Sequence, residues 1–187
     1  GIVSRLTPQK GFNLIAEAME QLCEGGVQLV VLGTGDEEYE NLFRHYAWKY
    51  PDKVSANIYF SNDLSHKIYA ACDAFLMPSA FEPCGLSQLI SMRYGTVPIV
   101  RETGGLKDTV TPYNEYTGEG TGFSFQSFNS WDMMHVINYA KEIYYNKRQA
   151  WKGLIKADMA KDYSWQISAD KYMQMYKSLA GEKTENK

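Results

Sequence analysis

The sequence has few cysteines, little net charge and no long apolar run, and each shortage argues against a class of protein. Its three cysteines, Cys23, Cys72 and Cys84, lack CxxC spacing, which favours reduced thiols in a cytosolic protein over disulfides or structural zinc. A formal net charge of -3 argues against a broad nucleic-acid or anionic-membrane surface. No apolar run approaches the roughly 18 residues that span a bilayer, and no signal segment opens the chain. We therefore expect a cytoplasmic protein that binds neither nucleic acid nor membrane.

The chain does have enough apolar material for one packed domain. Of its 187 residues, 44% are hydrophobic and 14% are aromatic, which is more than a disordered segment carries. Short apolar runs alternate with segments of helical period, the pattern of a parallel sheet flanked by helices. Residues 1–6 resemble the end of a buried strand without its beginning, so we expect a piece of a longer protein.

The spacing of apolar residues predicts where the elements lie. Strands are predicted over residues 2–6, 27–32, 54–60, 74–77, 97–100 and 122–125. Helices are predicted over residues 11–24 and 86–94, around Tyr39 to Tyr46 and Leu64 to Ala71, and along two later apolar stripes, Met133 to Tyr144 and Trp165 to Leu179. Ser164 is predicted to cap the last helix, Gly104-Gly105 to form a turn, and residues 181–187 to be a frayed tail.

Ligands of an open parallel sheet bind beyond the carboxyl ends of its strands. The loop after the first strand places Arg5 and Lys10 just before a helix, an arrangement suited to a pyrophosphate. The same two cations can equally be a solvated surface. Phe60, at the end of the third strand, can stack on a base or belong to the core.

The loop of residues 79–87 is the most informative, because it places a carboxylate and a glycine where a strand leads into a helix. Glu82 can accept hydrogen bonds from hydroxyl groups, while the amides of Gly85, Leu86 and Ser87 can hold a phosphate. The alternative is a capping loop. Cys84 can be a reactive nucleophile or a packed thiol, and we interpret it as a packed thiol because no histidine is near it in sequence.

The sequence offers little for a cofactor or a metal. Gly33-Thr34-Gly35-Asp36 follows the second strand, but Glu38 occupies the third glycine position of a dinucleotide fingerprint. This disfavours a nicotinamide cofactor and favours a tight turn with Asp36 as a helix cap. The three histidines lack metal-ligand spacing. We expect neither a cofactor nor a metal.

Four segments together resemble the C-terminal domain of bacterial glycogen synthases and plant starch synthases. They are Ser4-Arg5-Leu6 with Gln9-Lys10-Gly11, Pro78-Ser79 with residues 81–86, residues 103–110, and Tyr163-Ser164-Trp165. The match covers nearly the whole chain, and the order and spacing of the motifs make it specific. The resemblance implies a GT-B architecture, in which two Rossmann-like domains enclose the active site and this chain is the second. Residues 1–162 would be the donor-binding domain, and residues 163–180 a helix that crosses to the N-terminal domain.

The resemblance also implies an activity, the transfer of glucose from ADP-glucose or UDP-glucose to the non-reducing end of an α-1,4-glucan with retention of configuration. By resemblance, Arg5 and Lys10 hold the pyrophosphate with help from the amides of Leu86 and Ser87. Phe60 would lie against the base. No metal would be required.

Glu82 would bind the glucose hydroxyls and support an oxocarbenium-like transition state, with Cys84 and Gly85 beside the sugar. Related retaining transferases often have a second glutamate eight positions later, where this chain has Ile90, which we interpret as a marker of the glycogen synthase branch. Two alternatives are a GT-B transferase for another acceptor and a non-catalytic flavodoxin-like binding module.

Overall fold

The computed structural model describes residues 1–180, so the predicted frayed tail of residues 181–187 lies outside the described residues. Strands and helices alternate along the described chain. The strands are β1 (Ile2–Val3), β2 (Leu29–Leu32), β3 (Val54–Asn57), β4 (Ala74–Met77), β5 (Val97–Arg101) and β6 (Phe123–Phe125). The helices are α1 (Phe12–Glu24), α2 (Glu37–Lys49), α3 (Asn62–Ala71), α4 (Ser87–Arg93), α5 (Gly104–Thr109), α6 (Ser130–Asn146), α7 (Arg148–Ala160) and α8 (Trp165–Leu179), with a 3-10 helix at Pro8–Lys10.

All the strand pairs are parallel and form two groups, ordered β1-β2-β3 and β4-β5-β6. Two backbone hydrogen bonds join the groups, from the Gly1 amine to the Ala74 carbonyl at 2.8 Å and from the Leu76 amide to the Gly1 carbonyl at 3.0 Å. The strands therefore follow the order β3-β2-β1-β4-β5-β6, which is that of a Rossmann-like fold. The predicted α/β class is confirmed.

The core lies between this sheet and the apolar faces of its helices. Helix α1 buries the predicted stripe of Phe12, Ile15, Met19 and Leu22. It packs against α2 and α6, while α3 packs against α4. Helices thus form two groups, as expected for a parallel sheet whose strands are apolar on both faces.

Several predicted strand ends and one predicted turn are wrong. Strand β1 ends at Val3 because its ladder with β2 ends at the pair Val3 and Leu32, and β3 ends at Asn57, opposite the same Leu32. Gly104-Gly105 begins helix α5 instead of a turn. Asp36 and Ser164 occupy the N-cap positions of α2 and α8 as predicted, although neither side chain forms a capping hydrogen bond.

Helix α8 differs from the other long helices because none of its residues is buried. Its predicted apolar stripe is exposed, with Trp165 89% and Leu179 78% accessible. Within residues 1–180, no helix is both long and apolar enough to cross a membrane.

Candidate active site

The candidate site lies where β1 and β4 run side by side. The chain leaves β1 toward one edge of the sheet and β4 toward the other, which makes their carboxyl ends the topological switch point where ligands of such sheets bind. Two loops follow these strands, residues 4–11 after β1 and residues 78–86 after β4. The sequence places both loops at strand ends, and the strand order makes them neighbours.

The two loops are packed backbone to backbone. The Ala80 amide donates to the Gln9 carbonyl at 2.9 Å, and the Gln9 side chain donates to the Phe81 carbonyl at 3.4 Å. Gly11 adopts a φ of +79°, and a Cβ at this position would lie 2.1 Å from the Pro78 carbonyl oxygen. Only glycine permits both this backbone conformation and this close approach.

The packed loops bring together the two charged residues singled out in the sequence. The Lys10 ammonium nitrogen lies 2.5 Å from Oε2 of Glu82, and only 9% of Glu82 is exposed. The hydroxyl of buried Ser79 donates to the same Oε2 at 3.4 Å. Removing either charge would leave the other without its partner in a largely dry environment. Loss of one partner should therefore lower the free energy of unfolding more than it would for a surface ion pair.

Helix α5 and helix α4 hold the Glu82 loop from its other sides. The Gly105 amide lies 3.2 Å from the Glu82 carbonyl and 3.1 Å from that of Pro83, so it can donate to either. The Gln88 side chain is fully buried and lies 3.1 Å from the carbonyls of both Cys84 and Gly85. These contacts fix the loop backbone and therefore the position of the Glu82 Cα atom, from which its side chain extends.

A small cavity of about 70 Å³ opens between the loops. Its wall includes Lys10 and Glu82 together with Gly85, Leu86 and Ser87, five of the eight residues that the sequence assigned to the site. The amides of the last three donate no hydrogen bond within the described chain and remain available to a ligand. An ammonium, a carboxylate and free amides in one cavity can bind an anion and hydroxyl groups side by side.

The Tyr69 phenol orients the start of α4 by donating to the Ser87 hydroxyl at 3.1 Å. Burial raises the pKa of Tyr69, and the hydrogen bond to Ser87 acts in the opposite direction but is the smaller effect. Tyr69 therefore stays protonated at neutral pH and remains a donor.

Three predicted site residues lie outside the cavity wall. Arg5 is exposed on the loop after β1, and Phe60 is 90% exposed beyond the end of β3, which excludes the core alternative. Cys84 is exposed, so its interpretation as a packed thiol is wrong. The buried Gln88 side chain contacts the Cys84 carbonyl and not its thiol. Among residues 1–180, no cluster of three His, Cys, Asp or Glu side chains is placed to hold a metal.

Comparison with known proteins assigns the chain to a family. The family model of glycosyl transferases group 1 matches residues 1–154, most of the chain. This chain belongs to the glycosyl transferase group 1 family. Within it, the chain is 66% identical over 179 residues to a glycogen synthase of Lachnospira eligens and 62% identical to one of Lachnoclostridium phytofermentans. Each alignment covers 96% of this chain but only 37% of the relative, so the chain spans about 37% of the length of these curated relatives.

A solved glycosyltransferase structure shows the same fold. The catalytic domain of starch synthase IV from Arabidopsis thaliana, bound to ADP and acarbose, superposes with a TM-score of 0.86 at 37% identity. The match covers 95% of this chain and 37% of that one. The resemblance to glycogen and starch synthases predicted from the motifs is confirmed.

Two parts of the candidate site are not predicted from the sequence. Gln88 falls within the helix predicted over residues 86–94, but nothing in a lone glutamine shows that it is buried against loop carbonyls. The contact of Gly105 with the Glu82 loop was also missed. The Gly104-Gly105 pair was the available signal, because paired glycines allow close backbone approach, and a Cβ on Gly105 would lie 2.0 Å from the Cys84 carbonyl oxygen.

Proposed function

We propose that this chain is the donor-binding domain of a retaining glucosyltransferase of the glycogen and starch synthase type. In the whole protein it would transfer glucose from ADP-glucose or UDP-glucose to the non-reducing end of an α-1,4-glucan. The observation that carries the proposal is the pairing of Lys10 with Glu82 at the switch point of a group 1 glycosyl transferase fold. The Lys10 ammonium can bind a diphosphate and the Glu82 carboxylate can accept hydrogen bonds from a sugar, and a nucleotide-sugar site requires both.

On this proposal, Lys10 binds the diphosphate and neutralises the charge that develops as the nucleoside diphosphate leaves. Arg5 lies on the same loop and is exposed, so its long side chain is free to reach the same phosphates. The amides of Leu86 and Ser87 complete the phosphate contacts from across the cavity. Phe60, whose ring is exposed, is available to stack on the base.

Glu82 would accept hydrogen bonds from the glucose hydroxyls and stabilise positive charge at the anomeric carbon. The loop position suits this role, because its carboxylate is held on the same cavity wall as the phosphate-binding groups. Cys84 and Gly85, on the same loop, would lie beside the sugar. A carboxylate fixed before the reaction begins stabilises the transition state without the cost of reorienting solvent.

We further propose that the N-terminal domain of the whole protein covers helix α8. A helix with no buried residue and exposed Trp165, Tyr172 and Leu179 needs an apolar partner in solution. The relatives are more than twice as long as this chain, which leaves room for such a domain.

The decisive experiment measures glucose incorporation into glycogen by a protein of the relatives' full length that carries this sequence. Glu82→Gln should cut turnover by roughly two or more orders of magnitude, the scale of losing one preorganised electrostatic group. Lys10→Ala and Arg5→Ala should each weaken the reaction by about 2 to 4 kcal/mol. Near-normal turnover in all three variants would mean that these loops have only structural roles.

A further inference from the structure

Arg101, the last residue of β5, reaches back under the loop that carries Glu82. Its Nη1 donates to the carbonyl of Ala80 at 2.8 Å and lies 3.3 Å from that of Ser79. These carbonyls belong to the residues two and three positions before Glu82. Bonds from a charged guanidinium to carbonyl oxygens are stronger than neutral ones, so this contact fixes the backbone firmly.

The segment of residues 79–81 is therefore held from two directions. The loop after β1 holds it through the backbone pair of Ala80 and Gln9 and through the Gln9 side chain, while Arg101 holds it from β5. Ser79 is 2% exposed, and its hydroxyl reaches the Glu82 carboxylate. A shift of this segment would move both the backbone of Glu82 and the Ser79 hydroxyl that donates to its carboxylate.

The guanidinium itself is held in place. Its central carbon lies 5.4 Å from the centre of the Phe128 ring, within the range of a cation-π contact. The Nε atom is buried and has no hydrogen-bond partner among the described residues. Arg101 thus donates hydrogen bonds to the loop while its own buried Nε donor stays unpaired. A surface arginine would not carry this energetic penalty, because water would pair with its Nε.

We infer that Arg101 is a positioning residue that sets the place of the Glu82 carboxylate for sugar transfer. The inference rests on the proposed function of Glu82. Arg101 does not line the cavity, so it acts through the loop and not on the ligand. Because a misplacement of about 1 Å in a reacting group can cost as much as a hundredfold in rate, a loop held less firmly should lose turnover before it loses binding.

The test compares three variants in the full-length protein, measured for glucose transfer to glycogen, ADP dissociation constant and melting temperature. Arg101→Met keeps the apolar stem beside Phe128 but removes the donors. It should lower kcat by about tenfold or more and change the ADP dissociation constant by less than about threefold. Arg101→Lys should recover kcat to within about threefold, because both bonds come from one nitrogen and an ammonium can supply them. Arg93→Met is the matched control, since it removes a guanidinium bond to the Met159 carbonyl far from Glu82, and it should leave kcat unchanged.

Normal kcat in Arg101→Met would overturn the inference. So would loss of ADP binding or of the folded state together with kcat, because Arg101 would then be a structural residue. Glu82→Gln, assayed in parallel, separates the two proposals. Normal turnover in Glu82→Gln would refute the proposed function. Loss of turnover in Glu82→Gln together with normal turnover in Arg101→Met would refute only the positioning role of Arg101.

Discussion

Replacing Glu82 by glutamine should make this chain bind ADP more tightly. In the free protein, Glu82 holds the Lys10 ammonium at 2.5 Å, and both side chains are largely buried. A diphosphate that binds Lys10 must compete with this carboxylate. It also leaves Glu82 without its cation when no sugar is present to donate hydrogen bonds. Glutamine keeps the shape of the side chain but removes the competing charge.

The size of the effect follows from the bond that is exchanged. A hydrogen bond to a charged group contributes about 1.5 to 3 kcal/mol, which corresponds to a roughly ten- to hundredfold lower dissociation constant for ADP. ADP-glucose should gain much less, because its sugar hydroxyls donate to the carboxylate of the native protein and stabilise it once Lys10 has left. The free energy of unfolding of the ligand-free variant should fall by about 1 to 3 kcal/mol, since Lys10 loses its partner.

Isothermal titration calorimetry of the chain with ADP and with ADP-glucose measures both affinities. Glu20→Gln is the matched control, because Glu20 also holds a lysine, Lys49, at 2.5 Å, but on the surface of α1 and α2. Its variant should bind both ligands like the native chain. Equal or weaker binding of ADP by Glu82→Gln would refute the competition between carboxylate and diphosphate.

Three further outcomes test the fold. Gly11→Ala should lower the free energy of unfolding in urea by about 2 kcal/mol or more, because the added methyl group would clash with the Pro78 carbonyl. Gly26→Ala should lower it by only about 1 kcal/mol, because Gly26 has a similar φ of +76° but no atom within 4 Å of the added methyl group. Burial raises the pKa of Asp158 from 3.8 to about 8, so the folded chain keeps a proton that the unfolded chain releases, and stability should fall as the pH rises from about 4 to about 8. Asp158→Asn should remove this fall and raise the free energy of unfolding at pH 7, measured in urea, by about 2 to 4 kcal/mol. Asp162→Asn should not, because Asp162 is an exposed carboxylate whose pKa is lowered by the Ser164 amide. Equal pH profiles for the native and Asp158→Asn chains would contradict the assignment. Sedimentation velocity should show self-association through the exposed face of α8, which Tyr172→Asp with Tyr176→Asp should abolish; a strictly monomeric native chain would count against an uncovered apolar face.

Periodicity in the sequence predicted the existence of the elements better than their ends. Strand β4 matches its predicted residues 74–77, and the stripe of α1 is buried as expected. Strand β3 was predicted three residues too long because Ile58, Tyr59 and Phe60 are as apolar as a strand. Where a strand ends depends on where its neighbour stops offering hydrogen bonds, and this information is absent from the strand's own residues.

The candidate site was predictable as a set of residues but not as a set of contacts. Lys10 and Glu82 each stand in a loop after a strand, and that much is readable from the sequence. Their pairing across 72 positions depends on the placement of β1 beside β4, which the order of elements along the chain does not reveal. For the same reason, the support that Arg101 gives to the Glu82 loop could not be read from β5 alone.

The most direct test of the proposed donor site is a titration of this chain with ADP-glucose, followed residue by residue by NMR chemical shifts of the backbone amides. We predict that the largest shifts cluster at Lys10, Gly11, Gly85, Leu86 and Ser87, around the cavity at the carboxyl ends of β1 and β4. An alternative cavity of about 540 Å³ lies at the opposite ends of these strands, near Val30 and Asp73. Shifts confined to that end, or no shifts at millimolar ADP-glucose, would contradict the assignment of this domain as the donor-binding part of a glucosyltransferase.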